Sequence, residues 1–267
     1  MGVVNVTPDS FSDGGLYLSA DAAVAHGEQL AGEGAAVLDV GGESTRPGAA
    51  PVSLDEELRR VVPVIERLPS VTVSIDTRKA AVAETALEAG ATIVNDVSAF
   101  RHDPAMAGVV ASAGAGCCLM HMLGDDPRTM QDDPRYDDVV SDVKAFLEER
   151  LAFAVAEGIA EDHVWLDPGI GFGKTSEHNL TLIERLDEIA AIGRPVAFGA
   201  SRKSFLGKLT GRQVDERLAG TIAVNIIAYE RGARVFRVHD VAPTVDALQV
   251  AAATVRRRWT TTPSGAG

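Results

Sequence analysis

Eight short apolar runs recur along the chain, and each is bounded by polar residues or glycine. They cover residues 2–5, 36–40, 71–75, 92–94, 116–120, 164–166, 196–199 and 234–238. Short runs of this kind with flanking turn residues predict buried strands.

The stretches between these runs carry the period of amphipathic helices. Leu58, Val61 and Ile65 mark one such stripe, and Ser53 with Glu56 forms a capping-box pattern ahead of it. Glycines stand where helices are expected to end, at Gly34, Gly90 and Gly232. Strand and helix alternating eight times predict an α/β fold, a single (β/α)8 TIM barrel.

Length and composition fit one barrel. The chain has 267 residues and is 46% hydrophobic, and barrels of this kind take about 250 residues as one domain. We expect one domain over residues 1–258. The small polar residues 259–267 predict a disordered tail.

Charge and cysteine usage exclude several classes of protein. The net charge of -13 argues against nucleic-acid binding and membrane-surface binding, which use basic faces. No apolar stretch approaches the roughly 20 residues of a membrane span. Cys117 and Cys118 are neighbours in a predicted strand, so they point to opposite faces and are expected to be buried free thiols. These features favour a cytoplasmic protein.

Polar clusters follow the predicted strands, at the barrel face that carries active sites. Two carboxylates, an amide and an ammonium suit a flat heterocycle that displays both donors and acceptors. These four residues are Asp76, Asn95, Asp167 and Lys203. Groups suited to phosphate oxygens are Thr45, Arg237 and His239. Asn5 offers an oxygen ligand for Mg²⁺, so the set suits a reaction that expels pyrophosphate.

Eight segments resemble, in order, the motifs of the bacterial dihydropteroate synthase family. They are Asn5-Val-Thr-Pro-Asp-Ser-Phe-Ser-Asp-Gly-Gly, Gly41-Gly-Glu-Ser-Thr-Arg-Pro-Gly, Ser74-Ile-Asp-Thr, Asn95-Asp-Val-Ser, Met120-His-Met, Asp167-Pro-Gly-Ile-Gly-Phe-Gly-Lys-Thr, Ser201-Arg-Lys-Ser-Phe-Leu-Gly and Arg237-Val-His-Asp. The resemblance implies a pterin-binding transferase of folate biosynthesis. Its reaction joins 7,8-dihydropterin-6-ylmethyl diphosphate to p-aminobenzoate and releases 7,8-dihydropteroate and pyrophosphate.

The resemblance also implies a role for each matching residue. The pterin would be held by Asp76, Asn95, Met120, Asp167 and Lys203. The diphosphate would be bound by Asn5, Thr45, Arg237 and His239, with Mg²⁺ at Asn5. The p-aminobenzoate site, where sulfonamides would compete, would be lined by Arg46, Pro47, Phe172, Lys203 and Ser204. Loop closure would involve Asp9, Phe11 and Asp13. The residues expected to act in catalysis are Asp76, Lys203, Arg237 and His239.

The family resemblance further implies a homodimer packed through helices at the end of the barrel. We expect Leu218, Ile222 and Ile226 to lie near that surface. The acidic segment 124–136 is expected to have no role beyond that of a mobile loop.

Two other functions remain open from the sequence. A pterin-binding methyltransferase would share the barrel and the pterin pocket, but no anion leaves in its reaction, so it has no need of the cations at Lys203 and Arg237. A non-catalytic paralogue that only binds pterin would have lost a key residue of the loops, and none is lost here. Turnover with both substrates discriminates among these readings.

Overall fold

The computed structural model describes residues 1–6, 16–44, 50–68, 71–126 and 129–255. Its eight strands are all parallel and lie in one sheet in chain order. The strands are β1 (Gly2–Asn5), β2 (Val37–Gly41), β3 (Thr72–Asp76), β4 (Ile93–Asp96), β5 (Gly116–Met120), β6 (Val164–Asp167), β7 (Val196–Phe198) and β8 (Ala233–Phe236). Each predicted strand is present, with ends that differ by no more than two residues.

The sheet closes on itself between its last and first strands. Val3 N donates to Val238 O at 3.1 Å, and Val238 N donates to Met1 O at 3.0 Å. Gly2 and Val238 form a parallel bridge just beyond the end of β8. These bonds complete a (β/α)8 barrel, which confirms the predicted fold.

Helices connect successive strands and surround the barrel. They are α1 (Leu16–Gly32), α2 (Leu54–Ile65), α3 (Ala80–Glu88), α4 (Met106–Ala113), α5 (Val139–Ala156), α6 (Ser176–Glu184), α7 (Leu186–Ala190), α8 (Ser204–Thr210), α9 (Leu218–Glu230) and α10 (Val241–Val255). In the part of the chain that the structure describes, none of these helices is both long enough and apolar enough to cross a membrane.

Local sequence signals set the ends of these helices. Ser53 Oγ accepts from Glu56 N at 3.3 Å at the start of α2, but the Glu56 carboxylate binds Arg60 instead of completing the capping box. Gly34, Gly90 and Gly232 follow helices with positive φ angles of 101°, 118° and 107°. Glycine adopts this conformation at little cost, so these residues end their helices as predicted.

Alternation along each strand divides the side chains between two environments. In β3, Val73 and Ile75 are fully buried against the helices, whereas Ser74 and Asp76 face the barrel interior. Cys117 and Cys118 are buried free thiols, as predicted, and burial raises the pKa of Cys117 to about 12. The polar inward positions near the carboxyl ends of the strands form the site.

Candidate active site

Arg237 lies just beyond β8 and joins two carboxylates from other strands. Its Nε donates to Asp39 Oδ2 at 2.6 Å, and its Nη2 donates to Asp76 Oδ2 at 2.8 Å. Both contacts are ion pairs, and the three side chains are mostly or fully buried. Because the two carboxylates sit on β2 and β3, the guanidinium ties the last strand to the second and third across the barrel.

Asp39 was not predicted from the sequence as a site residue. It is fully buried in the middle of β2, and its Oδ2 also accepts from Asn95 Nδ2 at 3.1 Å. The only signal in the sequence is a charged residue inside an otherwise apolar strand. A charged residue is rarely buried unless it is paired. This rule predicts that Asp39 faces the barrel interior and has a partner there.

Asp76 ends β3 beside Gly41 of β2. A Cβ added at Gly41 would lie 3.4 Å from Asp76 Cβ, so glycine leaves room for the carboxyl group. Burial raises the pKa of Asp76 to about 7, although the neighbouring Arg237 opposes the shift. Asp76 is therefore poised between its neutral and charged forms near neutral pH.

Asp167 ends β6 and organises the turn that follows it. Its Oδ1 accepts from Gly169 N at 2.7 Å. Burial raises the pKa of Asp167, and the charges of Lys203 and Arg237 oppose this rise. A Cβ added at Gly199 would lie 3.9 Å from Asp167 Oδ2 and 3.8 Å from Arg237 Cβ, so the carboxylate and Arg237 line the same part of the barrel mouth.

Lys203 follows β7 and reaches across to the loop after β6. Its ammonium donates to Ile170 O and stands over the Phe172 ring, 4.6 Å from the ring centroid. Burial lowers the pKa of Lys203 to about 8, and Asp167 opposes this shift. The structure thus brings together the ammonium and the aromatic ring that the sequence assigned to the p-aminobenzoate site.

The loop after β6 needs glycine where it passes under its neighbours. Gly169, Gly171 and Gly173 have positive φ angles of 67°, 82° and 66°. A Cβ at Gly169 would overlap the His121 carbonyl oxygen, and one at Gly171 would press on the Lys203 side chain. The glycine spacing of this motif therefore serves close packing around the lysine.

A buried pair holds the end of the same loop. Lys174 Nζ lies 2.8 Å from His121 Nδ1 and donates to Phe172 O at 3.1 Å. Burial is the main cause that lowers the pKa of both side chains, which favours their neutral forms. Lys174 faces the protein interior and fixes the backbone that carries Phe172.

The segment between β5 and α5 also supports this loop, a role that the sequence did not reveal. Tyr136 Oη donates to Gly173 O at 2.8 Å, and Gln131 Nε2 donates to Gly171 O. Met130 is buried in a small apolar cluster with Met120, and Phe172 packs against it. The expectation of no role beyond that of a loop is wrong for the described part of this segment.

Ion pairs also anchor the other loops at this face. After β7, Arg202 has a positive φ of 58° and pairs with Asp240 through two nitrogens. Ser201 Oγ lies 3.0 Å from His239 Nδ1. The loops after β7 and β8 are therefore linked, which fixes the position of His239 beside Arg237.

A second network lies under the loop after β2. Lys79 pairs with both Glu43 and the fully buried Glu57, and Thr77 Oγ1 donates to Glu57 Oε1 at 2.7 Å. Burial alone would lower the pKa of Lys79, but bonds to the two glutamates outweigh it and raise the pKa. Glu43 is thereby anchored next to the motif that continues to Thr45.

Comparison with known proteins identifies the family. The family described as pterin binding enzyme matches residues 1–239. This chain belongs to the pterin binding enzyme family. The dihydropteroate synthase of Escherichia coli strain K12 is 46% identical over 258 residues, covering 96% of this chain and 91% of the relative.

Solved structures similar to this pterin binding enzyme include dihydropteroate synthases. Xanthomonas albilineans dihydropteroate synthase with 4-aminobenzoic acid is 50% identical, with a TM-score of 0.90 over 96% of this chain and 92% of that one. The Yersinia pestis dihydropteroate synthase with a sulfonamide drug complex is 44% identical, also with a TM-score of 0.90, over 96% and 94%.

Several residues that the sequence pointed to lie outside the described part of this pterin binding enzyme. They are Asp9, Phe11, Asp13, Thr45, Arg46 and Pro47, together with the predicted tail. Among the described ones, Ser204 is exposed at the start of α8, and Asn5 is half-buried at the end of β1. Closure of the barrel makes β1 the neighbour of β8, so Asn5 is on the strand next to Arg237 and His239.

The donor set for a metal is small. Among the described residues, no group of three or more His, Cys, Asp or Glu side chains is placed to hold a metal ion. Mg²⁺ commonly takes one or two protein ligands and completes its shell with water and substrate phosphates. Asn5 is half-buried at the end of β1, and its amide oxygen is of the ligand type that this mode of binding uses.

Proposed function

We propose that this chain catalyses the dihydropteroate synthase reaction. It is a transferase that joins p-aminobenzoate to 7,8-dihydropterin-6-ylmethyl diphosphate and releases 7,8-dihydropteroate and pyrophosphate in folate biosynthesis. The observation that carries this proposal is the set of buried groups at the barrel mouth, in which Arg237 joins two carboxylates and Lys203 stands over Phe172. Nearly full-length similarity to dihydropteroate synthases supports it.

The pterin ring lies among the acidic strand ends. Asp167, Asp76 and Asn95 offer acceptors to the ring N–H and amino groups, and a carboxylate facing two such donors makes a bidentate contact. Lys203 donates to a ring acceptor from the opposite side. Met120, buried beside these groups, provides an apolar surface for the flat ring.

The diphosphate lies toward β8 and β1. Arg237 and His239 donate to its oxygens, and Thr45 joins them from the loop after β2. Asn5, with diphosphate oxygens, would hold Mg²⁺. When bound, the metal offsets negative charge on the leaving group.

The p-aminobenzoate site forms beside the pterin, around Lys203 and Phe172. The ring of p-aminobenzoate packs against Phe172. Its carboxylate faces Ser204 and the cations of Arg46 and Lys203. Pro47 closes the site. Sulfonamides, which have a similar aryl amine, compete for the same place. The Yersinia pestis complex with a sulfonamide drug supports this assignment.

The chemistry needs little proton transfer before attack. Cleavage of the C–O bond to the diphosphate leaves a cation that the dihydropterin ring delocalises. The aryl amine is largely unprotonated at neutral pH and attacks the methylene carbon directly. The nitrogen then loses one proton, to solvent or to the released pyrophosphate, which gives the neutral secondary amine of the product. Closure of the loops that carry Asp9, Phe11 and Asp13 excludes water, which would otherwise capture the cation.

The assembly is a homodimer in the cytoplasm. Leu218 is 36% exposed and Ile227 is 44% exposed on α9, whereas Ile222 and Ile226 are half-buried on the same helix. An apolar helix face of this kind supports a helix-packed dimer. Sedimentation at several protein concentrations tests this part of the proposal.

Pyrophosphate release tests the reaction. Release in the presence of the dihydropterin diphosphate and Mg²⁺ should depend on p-aminobenzoate, and it should fall at least about 100-fold in Lys203→Ala and Asp167→Ala. The matched control is Lys208→Ala, which removes an exposed lysine on α8 and should retain full activity. Absence of release in a folded sample that still binds pterin would favour a paralogue that only binds, and would overturn the proposal.

A further inference from the structure

Asp39 is a fully buried carboxylate that the reaction described above leaves without a role. Its Oδ2 accepts two hydrogen bonds, one from Arg237 Nε and one from Asn95 Nδ2. Its Oδ1 has no hydrogen-bond partner within the described residues. A buried charge is costly unless its partners offset the loss of water. The placement therefore calls for a function that an apolar residue could not perform.

The contact with Asn95 fixes which way the amide group points. An ionised carboxylate only accepts hydrogen bonds, and an amide has one donating side and one accepting side. The donating nitrogen of Asn95 must therefore face Asp39 Oδ2, and the accepting Oδ1 must face away from it. Asn95 is 6% exposed near the end of β4, and its Oδ1 is the amide atom left to meet a ligand.

The strand register relates Asp39 to the residues proposed to contact the ligand. Asp39 is two residues before Gly41 on β2, and Gly41 is paired with Asp76, which is in turn paired with Asn95. Asp39 contacts Asn95 and Arg237 directly through its Oδ2. Ser74 is the register partner of Asp39 on β3.

We infer that Asp39 is a positioning residue that selects the pterin through Asn95. By holding the amide nitrogen, it makes position 95 present a carbonyl oxygen, so the site accepts an N–H donor of the ring and rejects a ring acceptor there. The inference rests on the proposed function, because it takes the ligand of Asn95 to be a dihydropterin.

Asp39 also pairs with Arg237, and the test must separate the two contacts. The probe is 6-hydroxymethyl-7,8-dihydropterin, the pterin substrate without its diphosphate, so the proposed contact between Arg237 and phosphate plays no part. Its dissociation constant is measured by calorimetry in the full-length protein. Asp39→Leu keeps the side-chain shape and removes both acceptors, whereas Asp39→Asn can keep an oxygen at the Oδ2 position.

The control variants are at the register partner of Asp39 and at the residue it contacts. Ser74→Ala removes a buried hydroxyl that has no partner in the described chain, one strand away from Asp39. Asn95→Ala removes the amide through which Asp39 is inferred to act. Combining Asp39→Leu with Asn95→Ala completes a double-mutant cycle. If Asp39→Leu does not fold, Asp39→Ala replaces it in the same cycle.

The inference predicts a specific pattern of affinities. Asp39→Leu should weaken pterin binding about tenfold or more, Asp39→Asn by less than about threefold, and Ser74→Ala hardly at all. In the Asn95→Ala background, Asp39→Leu should add less than about twofold. An equal loss in both backgrounds, or an equal loss in Asp39→Asn and Asp39→Leu, would overturn it. Failure of the wild-type protein to bind the pterin would instead count against the proposed function.

Discussion

Asp76 makes the folded protein less stable as the pH rises, and the size of this effect follows from its pKa. Burial raises that pKa from 3.8 to about 7. The unfolded chain releases the Asp76 proton near pH 4, whereas the folded chain keeps it until about pH 7. Between these values the folded state binds more protons, so the free energy of unfolding falls with rising pH.

The magnitude comes from the difference of about three pKa units. At about 1.4 kcal/mol per unit, the full cost is about 4 kcal/mol, and roughly 2 to 3 kcal/mol of it appears between pH 5 and pH 8. Asp96 and Asp167 also have raised pKa values caused mainly by burial. Their contributions have the same sign, so a comparison with a variant is needed to isolate Asp76.

Asp76→Asn removes this titration while keeping the size of the side chain. Urea unfolding of the ligand-free protein at pH 5, 6, 7 and 8 gives the free energy for the wild type and the variant. The difference between them should shift by roughly 2 to 3 kcal/mol in favour of the variant over this range. Asp187→Asn, at a carboxylate that is 59% exposed, is the control for the loss of one acidic side chain from the surface.

A parallel pair of curves for Asp76→Asn and the wild type would refute the reasoning. It would mean that Asp76 is already ionised at pH 5 in the folded protein. The ion pair with Arg237 at 2.8 Å would then fully offset the cost of burial. The attraction between ionised Asp76 and Arg237 follows the same titration and is already contained in the pKa of Asp76, so the slope of the difference between the two curves reports that pKa.

Three further perturbations test the loop after β6 and Lys203, which follows β7 and contacts that loop. Lys203→Met should raise the KM for p-aminobenzoate and lower kcat/KM at least about 100-fold. In the wild type, kcat/KM should fall above about pH 8, where Lys203 loses its proton. Gly169→Ala should lower the free energy of unfolding by more than about 3 kcal/mol, because its Cβ meets the His121 carbonyl. Gly90→Ala, also at positive φ but with open space around it, should cost only about 1 kcal/mol by the same urea measurement. Tyr136→Phe removes one hydrogen bond to this loop and should cost about 1 kcal/mol while raising the KM for p-aminobenzoate more than that for the pterin; equal changes in both KM values would contradict the proposed support of Phe172.

The sequence was sufficient to predict the barrel and to point to the polar residues at the carboxyl ends of its strands. Strand and helix periods are local properties, and an active site at the carboxyl ends is a general property of the fold. Asp76, Asn95, Asp167 and Lys203 were therefore predicted as site residues from their positions alone. Asp39 was missed because it lies inside a strand, and its partner Arg237 is 198 residues away in sequence. Contacts of that range depend on the register of all the strands between them.

The closure of the barrel is what turns scattered strand ends into one site. Asn5 and Arg237 lie at opposite ends of the chain, and in an open sheet their strands would be its two edges. The bridge between Gly2 and Val238 makes these strands neighbours, so the proposed metal ligand and the proposed phosphate cation share one side of the mouth. The same closure lets Arg237 reach Asp39 and Asp76. Weakening the pairing between β1 and the chain after β8 should therefore lower affinity for the pterin diphosphate more than affinity for the phosphate-free pterin. Only the diphosphate is proposed to use groups from both of these strands.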